Sequence, residues 1–185
     1  FRNWQQGTTP SAALVRATLV SSAENMAGVA APIPSNCQGW GRVLLDNALY
    51  FAGDARKLWV RDQVGAFANG SSNEIRTHAF SVNAGQPLKI TLAWTDFPST
   101  PAASVNLVND LDLELVGPTG TLWRGNVFTG GASTTGGSAD RRNTLEQVLL
   151  PAPAAGLYKV HVRSFAVPSG PQPFALVVTG DFTAF

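Results

Sequence analysis

A chain of 185 residues, 44% hydrophobic and 14% charged, has enough apolar material for one packed domain, or one plus part of another, and too little charge for a disordered tail. A formal net charge of +1 gives no argument for nucleic acid or an anionic membrane surface, and no apolar run reaches the ~20 residues of a membrane span. The polar opening FRNWQQGTTP, which lacks Met and any signal pattern, reads as the start of a piece cut from a longer precursor.

Residues 1–55 read as helical. In TTPSAALVRATLVSSAEN, Thr9 is the expected N-cap, and Pro10 the first residue of a helix reaching to about residue 26. Leu14, Val15, Thr18, Leu19 and Ser22 follow helical spacing along it. A second, short helix is expected in RVLLDNALYFAG, with Val43, Leu44, Ala48 and Phe51 on one side. Two such helices cannot bury an independent core, so this half should dock onto another body. Cys37 is the sole cysteine and so can form no internal disulfide. It is expected to be buried, or to pair with a cysteine in the rest of a longer parent.

Residues 56–185 read as β. Apolar alternation marks LWVRDQVGAF, IRTHAFSV, PLKITLAWT, DLDLELV, TLWRG, TLEQVLL, GLYKVHVRSF and PFALVVTGDF, with Gly- and Pro-rich turns between them. In the third, Leu88, Ile90, Leu92 and Trp94 share a face. Eight antiparallel strands with long connections predict a mainly β fold, a two-sheet sandwich of jelly-roll type. TGGASTTGGSA, residues 129–139, is expected to be a mobile surface loop.

No catalytic centre emerges from these residues. His78 and His161 fall on separate predicted strands, and there is no Gly-x-Ser-x-Gly elbow, no His-Glu-x-x-His and no phosphate-binding loop. The acids are more informative. Asp110, Asp112 and Glu114 occupy alternate positions in a chain with only 12 acidic residues. Such spacing suits a solvated strand face equally well. It also suits calcium, which takes six to eight oxygen ligands. Asn109, Asp110 and Asp112 at one strand's entrance could converge with Asp96, at the end of another strand, and with Asp140, Asn143 and Glu146 in DRRNTLEQV. Glu114 reads as plain surface.

Five stretches carry a resemblance: PSAALVRATLVSSAENM, NCQGWGRVLLDNALYF, PLKITLAWTDFP, ASVNLVNDLDLELVGPTGTLWRGN and DRRNTLEQVLLPAPAAGLYKVHVRSFAVPSGPQPFALVV. In this order they resemble the C-terminal end of subtilisin-like serine proteases (subtilases) that carry an appended jelly-roll β-domain. The resemblance implies that residues 1–55 are the last helices of an incomplete catalytic domain and residues 56–185 the jelly-roll domain. The catalytic Asp, His and Ser would lie upstream. QGTTPSA departs from the family's nucleophile motif, Gly-Thr-Ser-Met-Ala, since Thr9 and Pro10 follow Gly7 and Thr8. This chain alone should therefore be inactive.

The resemblance further implies a secreted, extracellular protein, a calcium cofactor and the upstream catalytic domain as partner, with protein as substrate and neither nucleic acid nor membrane involved. It points to Asp96, Asp110, Asp112, Asn143 and Glu146 as metal ligands, to which the strand's entrance adds Asn109. Two departures bear on that set. Asn126-Val127 stands where relatives often show Asn-Asp, and Asn143-Thr144-Leu145-Glu146 where they often show Asn-Asn-x-Glu. One oxygen ligand is missing from the pattern at each place, which leaves a weaker site or one completed by carbonyls and water. The alternative function is a protein- or carbohydrate-binding sandwich with no direct role in proteolysis, using Trp59, Trp123, Phe128 and Phe165.

Overall fold

A computed structural model describes residues 9–185; the polar opening stretch, and Gly7 and Thr8 of the loop before the first helix, lie outside the described residues. Among the described residues the protein is mainly β, with one α-helix and two antiparallel sheets. The strands are β1 (Lys57–Asp62), β2 (Ile75–Val82), β3 (Leu88–Ala93), β4 (Asp110–Val116), β5 (Leu122–Thr129), β6 (Ala132–Thr135), β7 (Leu145–Leu150), β8 (Gly156–Ala166), β9 (Ala175–Gly180) and β10 (Phe182–Ala184). One sheet runs β1-β9-β3-β7, the other β10-β2-β8-β4-β5-β6.

Period-two alternation builds the core between the sheets. Leu88, Ile90, Leu92 and Trp94 from the first sheet meet Leu111, Leu113 and Leu115 from the second, all at most 1% exposed. Trp94 donates its indole N–H to the Asn109 carbonyl at 2.9 Å, which satisfies the one polar atom of a fully buried ring.

Helix α1 (Ala12–Ser22) covers the outer face of the four-stranded sheet. Ala13, Leu14 and Ala17 pack on Ala93, Leu145, Ala175 and Val177, and the small side chains bring helix and sheet close. The N-cap is Ser11, not Thr9. Asp62, at the end of β1, accepts the Ser11 N–H at 2.8 Å and its hydroxyl at 2.5 Å, and the Ser11 Oγ accepts the Leu14 N–H at 3.0 Å. A tertiary anchor thus moves the helix start two residues past the position that local sequence favours. Arg16 ties the same helix to strand ends, donating to the carbonyls of Trp94 (2.6 Å) and Thr144 (2.8 Å). Val15 and Leu19, expected on the helix's packed face, point outward at 47% and 41% exposed.

Four further expectations are corrected. RVLLDNALYFAG forms only a single 3-10 turn at Leu45–Asn47. Glu24 and Arg42 exchange backbone hydrogen bonds and hold the chain extended just before it; of the expected helix face Ala48 is buried, whereas Val43 and Phe51 are exposed. Residues 129–139 are not all loop, because β6 pairs with β5 through Gly130 and Gly131. Both glycines have positive φ (60° and 83°), the geometry of a two-residue hairpin turn. Cys37 is free and exposed, not buried. With β6 and β10 added, the eight expected strands become ten.

Candidate metal centre

The acidic corner is assembled where β5 leaves β4. The two strands pair only from Glu114 to Val116, so the Leu113 N–H has no partner on β5. Glu146 on β7 reaches across and accepts that N–H at 2.7 Å through Oε2. Gly125 makes room for it, since a Cβ there would collide with the Glu146 carboxylate. The next residue, Asn126, takes a left-handed conformation (φ 60°) that Asn tolerates. Its side-chain amide then substitutes for a strand edge: Nδ2 donates to Asp140 Oδ2 (2.7 Å) and to the Leu145 carbonyl (2.8 Å), while Oδ1 accepts the Gln147 N–H (3.0 Å).

Asp110 and Asp112 lie on the face of β4 opposite the leucines, and both are buried. Arg141, from the loop before β7, stands between them. Its Nη1 bonds Asp110 Oδ1 at 3.1 Å and Asp112 Oδ1, and its Nη2 lies 3.3 Å from Asp112 Oδ2. The guanidinium also stacks on Phe165, with Cζ 3.7 Å from the ring centre.

The electrostatics follow from this crowding. Burial pushes the Asp110 carboxyl up to about 6, against the pull of Arg141 and with a further push from Asp112. Glu146 is raised well above the usual carboxylate range. Its burial is the main cause, opposed by the Leu113 N–H and reinforced by Asp112, Asp140 and Asp110. Its Oε1 is buried without a hydrogen-bond partner. At Asp140, burial acts upward but is outweighed by bonds from Asn143, Asn126 and the N–H groups of Arg142 and Asn143, leaving that carboxyl below its ordinary value.

Of the six expected ligands, Asp110, Asp112 and Glu146 share this corner. Asn143 is exposed beside it and donates to Asp140 at 2.6 Å. The other two are committed to neighbouring loops. Asp96 accepts the N–H groups of Phe97, Val108 and Asn109, all within 2.8 Å. Asn109, fully buried, uses its side-chain amide: Nδ2 donates to the Ser169 carbonyl and to Gln172 Oε1, and Oδ1 accepts the Ser169 N–H. Glu114 is not plain surface but a partner of Arg163 at 3.2 Å. Sequence reasoning left out Arg141, and it noted Asn126 only for the Val127 that follows it. Two arginines inside the stretch nominated as an acidic donor, DRRN, were the available sign of the first.

The donor set suits calcium in kind: hard oxygens, one of them buried and unpartnered. As placed, however, no three His, Cys, Asp or Glu side chains among the described residues stand close enough to hold a metal ion. The position between Asp110 and Asp112 belongs to the Arg141 guanidinium.

Among the aromatics considered for a binding face, Trp59 is core, edge-on to Phe80. Trp123 stacks on Tyr158, and Phe128 meets Trp40 edge-on. Phe165 is 44% exposed under Arg141.

No family model matches the chain. It is 27% identical to the serine protease/ABC transporter B family protein tagB of Dictyostelium discoideum over 93% of its own length, and 26% identical to tagA of the same organism over 95%. The chain spans about a tenth of the length of these curated relatives. The similarity is distant and supports a protease-related origin.

Proposed function

We propose that this chain is the C-terminal β-region of a secreted subtilisin-like serine endopeptidase, that its sandwich is a jelly roll spanning residues 56–185, and that calcium bound at the acidic corner stabilises it. The protease reading draws on the distant similarity to proteins named as serine proteases. The jelly-roll reading draws on the strand order: β1, β3, β7 and β9 form one sheet, while β2, β4, β5 and β8 stand side by side in the other. A catalytic domain formed by the preceding chain is the proposed partner of residues 1–55. In support, Val15, Leu19, Val43, Leu45 and Phe51 all expose apolar surface there.

The observation that carries the calcium reading is Glu146. It is 1% exposed, one oxygen lacks a partner, and three further carboxylates press on it. A divalent ion here would relieve the mutual repulsion of Asp110, Asp112 and Glu146, with Asp140 and Asn143 at the margin. Such an ion would take over the charge-balancing role that Arg141 fills. Binding to the folded form alone stabilises it by about 2.7 kcal/mol when free calcium is 100 times Kd. Thermal melts with calcium and with chelator are the test. Calcium should raise Tm in the natural chain, and Glu146→Gln should remove most of that rise. Equal melting temperatures with calcium and with chelator would overturn the reading.

A further inference from the structure

A second site lies on the opposite side of the four-stranded sheet from the core. A cavity of about 280 Å³ opens under the C-terminal end of α1, bounded by the segment after the helix, Asn47 and Arg56 on one flank, and the outer face of β3, β7 and β9. Two cations share it. Lys89 of β3 donates to the Ala23 carbonyl at 2.9 Å, and Arg56 donates to Asn47 Oδ1. An ammonium has three donor hydrogens and a guanidinium five, so one bond each leaves most of their capacity unmet. Neither cation has a carboxylate within ion-pair distance among the described residues. Glu24, the cavity's sole acid, is paired with Arg42 instead.

A third group has the same need. Ser21 lines the cavity, is 1% exposed, and its Oγ has no hydrogen-bond partner. Two like charges in a confined space are costly unless an anion joins them. The strain shows on Lys89, whose amine is held down to about 8 by burial and by the Arg56 charge, with Glu24 acting the other way.

The rest of the wall sets the kind of anion. Ile33, Pro87, Leu149 and Pro151 are apolar, so the anion should carry apolar surface, and with Glu24 taken up by Arg42 the two cations present a positive pair that one carboxylate can bridge. The volume is just under the ~300 Å³ at which drug-sized sites begin, so the occupant is about one amino-acid residue in size. We propose that this cavity binds a monocarboxylate carrying a compact apolar group, the chemistry of a peptide's free C-terminal residue, with Lys89 and Arg56 holding the carboxylate and Ser21 donating its hydroxyl.

The test is calorimetric titration of the full chain with N-acetyl-leucine, and with N-acetyl-leucinamide as the uncharged match. The acid should bind and the amide should bind at least tenfold more weakly, a comparison that needs no variant. Lys89→Met should weaken the acid tenfold or more and Ser21→Ala a few-fold, while Lys159→Met, exposed on β8 in the other sheet, should leave it unchanged. No binding of the acid, equal binding of acid and amide, or unchanged affinity in Lys89→Met would each overturn the proposal. Tighter binding of inorganic phosphate than of N-acetyl-leucine would overturn the assignment to carboxylates.

Discussion

At the scale of single residues, Arg141 decides how the acidic corner behaves without an ion. Its guanidinium bridges two carboxylates whose side chains are only 11% and 6% exposed. Removing it leaves both uncompensated. Arg141→Gln should therefore cost about 2 kcal/mol in chelator, read as a lower urea midpoint. On the calcium reading the same variant should bind the ion more tightly, because the competing cation is gone. Gly125 matters for shape. Gly125→Ala would force the Glu146 carboxyl back from the Leu113 N–H and cost about 1–3 kcal/mol, measured by denaturant unfolding. His78 gives a pH signature. Burial, then the Arg61 charge, holds its imidazole down to about 4, against 6.5 in an open chain. Between those values the unfolded chain binds the extra proton and the folded one does not. Stability from this group is complete above 6.5 and is lost as pH falls toward 4. His78→Gln should flatten that part of the stability-against-pH curve.

At the scale of elements, strands were legible and helices only partly so. Each expected strand has a counterpart because alternation reports a two-faced environment directly, as Leu111, Leu113 and Leu115 show. The β5–β6 hairpin was also written in the sequence. Gly130-Gly131 between FT and AS is a turn signal that the surrounding run of small polar residues obscured. The helical half fared worse because its partner surface, the outer face of a sheet, is built from residues far along the chain. Leu14 and Ala17 gain their burial from Ala175 and Val177, and no spacing within residues 9–22 reveals that. Leu14→Ala should cost about 2–3 kcal/mol. The loss should be local: amides of α1 should lose protection in hydrogen exchange while those of β3 and β8 keep it.

At the scale of the whole molecule, the candidate site was legible by type more than by arrangement. Asp110, Asp112 and Glu146 come together because β4 and β7 begin at the same corner, which strand-end acids hinted at. Asp96 and Asn109 matched the chemistry equally well, yet serve as fasteners for the loops around them. Hydrogen-bond geometry, not residue type, separates these fasteners from the residues of the acidic corner, and geometry of that kind depends on loop paths that local sequence does not set. The same limit hid Arg141, whose partners lie 31 and 29 positions away.

The Arg16 clasp carries a mechanical consequence. Its Nη2 holds the Thr144 carbonyl, and the next residue's carbonyl is held by Asn126. One peptide unit is thus gripped from the helix side and the following one from the acidic corner. A load pulling α1 off the sheet reaches Glu146 across two residues of extended chain, which transmits tension with little slack. The geometry of the acidic corner is therefore coupled to the seating of α1 on the sheet.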